Sequence, residues 1–329
     1  MRSLIRIRGI GKLFFIVLLP IFLSMFACGG GGGGGGGASS SSSWVTYTGI
    51  TTQATIDSTN AENITTGAYQ GGAIGGAVSL GTVQQEQMEL PTYLNLSLTI
   101  EETIRQMDVS ASTGVADAGA IINQSKTVYG TGGGNAQYTI QVDDVTGDFS
   151  GTITFNGYTS LATTMTGNFS FSGKVNVSTG TMQRFSLSTD SVSVIEGSKS
   201  YTAKMTFNYT FSGTQVAVDM DFVLRDSTTA KTYWVNNFNL TLWNRTSYIE
   251  FSTSGRYYNP DYGYIDVSTP TTFKINTTAQ NPYDGILLVT GNSATKAKLT
   301  ALSATTYKVE ADTNGDGTYE WTSGTKNWW

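Results

Sequence analysis

From Ala136 onward the chain alternates. Met165, Gly167, Phe169, Phe171, Gly173, Val175 and Val177 hold one parity, and Thr166, Asn168, Ser170, Ser172, Lys174 and Asn176 hold the other. A period of two places successive side chains on opposite faces of a strand, so this stretch predicts a long strand with one dry and one polar face. The pattern returns with Tyr201, Ala203, Met205, Phe207, Tyr209 and Phe211, and again with Val216, Val218, Met220, Phe222 and Leu224. Ser212 to Gln215 between the last two is a Gly-containing hairpin connection. Further strands are predicted at Lys231 to Trp243 and Tyr248 to Tyr257. Connections this short make neighbours antiparallel, so residues 136 to 258 read as a meander.

Before that meander the pattern is mixed. Trp44 to Ile56 is strand-like, and Asp57 or Ser58 then supplies the N-cap of a short helix running towards Tyr69. Gly71 to Gly76 reads as a flexible turn in preference to a GxxxG helix contact. Pro91 to Met107 fits both periods, with Glu101 and Glu102 spaced from Arg105 as on a helix. Val115 to Ile122 reads as a loop with one helical turn. A wide sheet with one apolar face must close on itself or be covered, and the N-terminal helical segments and the final hairpins are the available cover. The fold class expected is therefore all-β: a large antiparallel meander forming a curved sheet, a sandwich or a barrel-like body, with minor helical segments near its start.

Composition removes several chemistries. The 329 residues contain no histidine and one cysteine, which excludes Ser-His-Asp and Cys-His catalysis and His-ligated zinc. Residues 1 to 27 carry Arg2, Arg6, Arg8 and Lys12, and without them 15 basic residues stand against 24 acidic ones, a formal charge of −9. A mildly acidic surface without a basic run is a poor partner for nucleic acid.

The lone cysteine, Cys28, sits at the end of an apolar run from Leu13 to Phe26 and just after Ala27. A basic start, a short apolar run and a small residue make a secretory signal, since about 20 apolar residues are needed to span a bilayer. Met25-Phe26-Ala27-Cys28 also resembles the signal of bacterial lipoproteins, although Met25 stands where Leu is usual. The resemblance implies that Cys28 is acylated, with chains such as palmitate, and becomes the first residue of the mature protein. Gly29 rather than Asp after the cysteine points, by the same resemblance, to the outer membrane. Residues 28 to 43 are then a lipidated Cys and a Gly/Ser linker with a root-mean-square span of roughly 20 to 25 Å. The domain layout expected beyond it is a main β-domain over 44–254 and a C-terminal hairpin region or subdomain over 255–329. YTGITTQATI near the start, with GRYYNPDYGYIDVSTPTTF and YKVEADTNGDGTYEW near the end, is similar to a group of uncharacterised β-rich proteobacterial lipoproteins. That likeness implies the placement and the β-rich fold, and no catalytic residue.

Three clusters are candidate chemistry. Asp312, Asn314, Asp316, Thr318 and Glu320 resemble in part the calcium loop of the EF-hand, with oxygen ligands at relative positions 1, 3 and 5, Gly317 at 6, a carbonyl at 7 and Glu320 at 9. Ser323 stands where the bidentate Glu of that loop is expected, and Asn-Gly-Asp-Gly is equally a strong β-turn sequence, so calcium and a bare hairpin turn compete here, the turn being the commoner outcome. Tyr257, Tyr258, Tyr262 and Tyr264 around Asn259-Pro260-Asp261 offer a surface for stacking a ligand, with cross-strand packing as the plainer account. Asp219 with Asp221, and Asp143 and Asp144 with Asp148, are paired carboxylates that read as solvated surface. The function expected is a lipid-anchored envelope protein attached to the membrane through Cys28, acting as a non-enzymatic binding or structural module. The alternatives are a carboxylate-based glycan hydrolase and an outer-membrane β-barrel, the latter suggested by the closing Trp328-Trp329.

Overall fold

A computed structural model describes residues 45–80, 121–160, 163–276, 279 and 281–328. The signal, Cys28, the linker, Trp44, the segment from Pro91 to Met107, nearly all of Val115 to Ile122 and Trp329 lie outside the described residues. One α-helix, a 3-10 turn at Asn292–Ala294 and one sheet are the regular elements of the described residues. The helix, α1, spans Ala61–Leu80. The strands are β1 (Ile121–Tyr129), β2 (Gly133–Asp143), β3 (Asp148–Ser160), β4 (Thr163–Val175), β5 (Met182–Glu196), β6 (Lys199–Ser212) and β7 (Gln215–Asp226). They continue as β8 (Thr232–Asn244), β9 (Tyr248–Asn259), β10 (Gly263–Asn276), β11 (Asp284–Thr290), β12 (Lys296–Ser303), β13 (Thr306–Asp312) and β14 (Trp321–Asn327).

All 14 strands form one antiparallel sheet in sequence order, so each strand pairs only with its neighbours in the chain. The expected meander is present and longer at both ends than the alternation indicated. At the start, β1 lies ahead of Ala136 and β2 begins before it, and β1 includes Ile121 and Ile122 from the end of the stretch expected to be a loop with one helical turn. At the end, the hairpins after residue 255 extend the same ladder, with β9 running through that position.

The sheet is open: β1 pairs with β2 alone and β14 with β13 alone. Among the described residues the ladder keeps two edges, whereas a closed barrel has none. Trp328 is instead a core residue, donating from Nε1 to Ser303 O at 2.9 Å and packing 4.7 Å from Tyr307 and 5.4 Å from Tyr69 of α1. Both edges carry blunting features. Lys126 on β1 pairs with the buried Tyr138, which puts an ammonium on the apolar side of the edge strand. β14 is short, contains the left-handed Gly324 and pairs irregularly with β13.

Alternation decides the core. On β4 the buried residues are Thr163, Met165, Phe169, Phe171, Gly173 and Val175, and on β6 Tyr201, Ala203, Met205, Phe207 and Tyr209. Two glycines in β3 and β4 are explained by their partners across the ladder: Gly151 faces Phe171 and Gly173 faces Phe149, and each ring lies where a β-carbon on the glycine would be. The aromatic supplies the missing apolar surface while the bare glycine lets the sheet coil. Register breaks near mid-strand recur in β3–β4, β4–β5, β5–β6, β7–β8 and β8–β9, each bending its strand and increasing its twist.

The chain enters along one rim of the sheet. Residues 45–56 form a strap with one isolated parallel bridge, Gln53 to Tyr264, where a strand was expected. Thr48 N donates to Thr232 Oγ1 at 2.8 Å, Ala54 N to Tyr264 O at 2.8 Å, and Asn292 N to Ala54 O at 2.7 Å. The strap thus ties together the β7–β8, β9–β10 and β11–β12 ends. Asp57 then turns the chain into α1, its Oδ1 accepting from Thr59 N at 2.7 Å and Asn60 N at 3.1 Å.

The helix runs well beyond Tyr69 and through Gly71-Gly72, the residues expected to be a turn. Ala61, Ile64, Thr65, Ala68, Gly71 and Gly72 are its buried stripe, set against β8, β9 and β11 to β13. A β-carbon on Gly71 would lie 2.9 Å from Val235 Cγ2, and one on Gly72 2.9 Å from Phe238 Cε1. These glycines are therefore where the helix backbone closes on the sheet, which outweighs their poor helix propensity of about 1 kcal/mol each. Replacing Gly72→Val should destabilise the protein by about 1 to 3 kcal/mol through overpacking against Phe238, read as a lower denaturation midpoint with unchanged slope. Unchanged stability would mean that this contact does not seat the helix.

Candidate functional site

The acidic loop joins β13 to β14 and has a buried centre. Asp312 is fully buried, and its two oxygens accept from Gly315 N at 2.7 Å and Gly317 N at 2.9 Å. Gly315 and Gly317 have φ of 80° and 92°, values that glycine adopts without strain. Asp316 Oδ1 accepts from Thr318 N at 2.7 Å, which with the Thr318 hydroxyl and Asn314 amide holds its carboxyl below the usual range. Glu320 Oε2 accepts from Thr313 N at 3.0 Å. One oxygen each of Asp312, Asp316 and Glu320 lies within 4.8 Å of the others, a spacing that suits a hard cation with oxygen ligands. The same hydrogen bonds also complete a hairpin turn by themselves. Asn314 spends its amide on Asp316 Oδ2 at 3.1 Å, and the three-carboxylate grouping does not include Asn314 or Thr318.

The tyrosine turn is divided by the pleat. Tyr257 faces the core, where Gly67 of α1 closes on its ring and burial pushes its phenol well above the ordinary value. Tyr258 faces the other way and stacks on Trp234 with centroids 4.5 Å apart and planes 22° from parallel. Tyr264 lies 5.3 Å from Tyr258 and carries the Arg256 guanidinium 3.9 Å above its centroid. Tyr262 is partly buried against the core. Tyr47 of the strap completes the cluster, 5.2 Å from Tyr258, and its hydroxyl donates to Asn259 O at 3.0 Å. Tyr258 and Tyr264 therefore spend their faces on the chain's own Tyr47, Trp234 and Arg256. Sequence inspection missed these three partners, and the separation of 211 positions between Tyr47 and Tyr258 left no local signal for them.

The paired aspartates are ordinary surface groups by their contacts. Asp219 accepts from Asn239 Nδ2 at 2.6 Å, and Asp221 from Trp234 Nε1 at 3.1 Å and Asn236 Nδ2 at 2.9 Å. Asp143 is held low by the Thr146 and Val145 amides that cap its turn. Asp148 is held low by Lys174 first, at 3.1 Å, with Arg184 at 2.9 Å on its other oxygen. A general acid for glycoside cleavage needs a raised value, opposite to what Asp143 and Asp148 have.

A further site had not been anticipated. An open cleft of about 700 Å³ lies on the polar side of β2 to β6. Its floor is a single register row, Gln141, Ser150, Ser172, Ser186 and Asn208, each directly opposite the next. A second polar row nearer the rim supplies Asp148, Arg184 and Thr210, with Ile121 of β1 beside them. Val142, Phe149, Phe185 and Tyr209 between the rows turn their side chains to the core face, since strand side chains alternate. Ser186 Oγ donates to Asn208 Oδ1 at 2.7 Å. The polar parity was visible in the sequence, but which serine met which across strands required the register. Comparison with family models, with curated proteins and with solved structures finds no match for this chain.

If the acidic loop binds calcium, a tenfold excess over the dissociation constant adds about 1.4 kcal/mol. The melting temperature of the purified protein should then rise by roughly 2 to 4 °C, and Asp316→Ala should abolish the rise. Because the Asp316 carboxyl is lowered in the folded state, its contribution is present above the ordinary value of 3.8 and fades as pH falls through the folded value. The calcium effect should fade over the same acidic window, and an effect that survives in Asp316→Ala returns the loop to a plain turn.

Proposed function

We propose that this protein is a lipid-anchored component of the cell envelope, held at the outer membrane through acyl chains on Cys28, whose folded part serves as a non-enzymatic binding or structural module. The observation that carries the binding part is the cleft and its place in the meander. In an antiparallel meander the connections alternate between two rims. The strap meets the β7–β8, β9–β10 and β11–β12 ends, whereas the cleft residues lie towards the β2–β3, β4–β5 and β6–β7 ends. A tether entering through the strap leaves the polar cleft on the rim away from the point of attachment.

Support for the anchor comes from Met25-Phe26-Ala27-Cys28 and the Gly/Ser tract after it. Among the described residues no helix is long and apolar enough to cross a membrane. Acyl chains contribute about 0.8 kcal/mol per buried methylene, so two or more hold a protein stably where one is marginal. The wild-type protein should stay with membranes after a carbonate wash, and Cys28→Ala should be exported yet recovered in the soluble fraction. A Cys28→Ala protein that stays with the membranes rejects the anchor.

A further inference from the structure

We infer that the polar cleft over β2 to β6 binds a neutral glycan chain laid across the strands; this rests on the binding-module reading and names its ligand class. The floor offers hydroxyls and amides in one line: Gln141, Ser150, Ser172, Ser186 and Asn208. Adjacent strands are about 4.8 Å apart, so the five groups repeat at that interval over roughly 19 Å. A linear polyol with hydroxyls on every ring can meet such a line repeatedly, each residue of the floor acting as donor or acceptor. Asn208 Oδ1 is engaged by Ser186, so the Nδ2 group is what Asn208 has left to offer as a donor.

Charge and apolarity exclude the competing classes. Asp148 is paired with both Lys174 and Arg184, and with Asp143 the cleft region holds two charges of each sign, so it has no net field to draw in a polyphosphate or a polycation. An acyl chain or an apolar peptide side chain needs a greasy pocket, whereas alternation turns the buried rings of Phe149, Phe185 and Tyr209 to the core face and leaves Ile121 at the rim as the apolar side chain beside the polar rows. A peptide added as a strand needs an open backbone edge, whereas β2 to β6 are each paired on both sides. With no ring presented for stacking, affinity rests on hydrogen bonds, and a dissociation constant on the order of 1 mM is expected.

The test uses the full acylated chain in a polyoxyethylene detergent, which contains no sugar. Cellohexaose, maltohexaose and chitohexaose are titrated calorimetrically beside hexagalacturonic acid, an acidic chain of the same length. At least one neutral chain should bind, more tightly than the acidic one. Ser172→Trp, an exposed position in the middle of the floor, should weaken that binding by tenfold or more, while Ser254→Trp, exposed on the same face of β9, leaves it unchanged. Asn208→Ala adds no bulk and should weaken it roughly three- to tenfold, the loss of one hydrogen bond. Binding that is equal in wild type, Ser172→Trp and Asn208→Ala overturns the site. Failure of all three neutral chains at 10 mM (about ten times the expected constant), or preference for hexagalacturonate, overturns the ligand class. Either result leaves the anchored-module reading standing on the Cys28→Ala fractionation, and release of wild-type protein by carbonate would overturn that reading without touching the glycan titration.

Discussion

The sidedness of the strand ladder is the constraint on which the rest of this structure depends. Paired residues point to the same face, so fourteen strands in sequence order must keep every apolar row aligned with the next. A slip of one residue anywhere would carry Phe, Met and Tyr side chains to water and Ser, Thr and Asn side chains into the core. Burying one large apolar side chain is worth about 1.5 to 3 kcal/mol, so a slipped strand such as β6, with Tyr201, Met205, Phe207 and Tyr209 on one parity, would forfeit several such terms at once. The register is thus held by the same residues that make the core.

That division of faces produces both the polar cleft and the means of covering the core. On the core side, α1 lies over β8, β9 and β11 to β13, and Gly67, Gly71 and Gly72 allow its backbone to approach the rings and methyls beneath. On the polar side, the serines and asparagines excluded from the core line up by register into rows that no single strand reveals. Glycines opposite phenylalanines and mid-strand register breaks bend the strands that carry the polar cleft.

The two rims have different work. One receives the strap, the aromatic cluster of Tyr47, Trp234 and Tyr258, and the acidic loop, whose Gly315 abuts the β11–β12 turn at Ser293 and Ala294. Ser293 and Ala294 themselves have φ of 54° and 62°, uncommon for residues with a β-carbon. The other rim carries the cleft. The strap and the cleft therefore lie at opposite rims of one sheet.

Alternation by itself determined the all-β class, the antiparallel order and the dry and wet parities of β4, β6 and β7, because period two is a local property of the strand. Sequence alone also marked Asp57 or Ser58 as a helix start, of which Asp57 is the one that turns the chain, and limited the catalytic options through the absence of histidine. Tertiary structure decided what depends on distant partners. Gly71-Gly72 is helix and not turn because Val235 and Phe238 lie beneath it, and β1 is strand because β2 offers it an edge. Tyr257 and Tyr258 part company because the pleat sends neighbours to opposite faces, and Tyr47 joins Tyr258 only once the strap is tied across the turns. The line from Gln141 to Asn208 is the clearest case, since its members are spread over five strands and only the register brings them side by side.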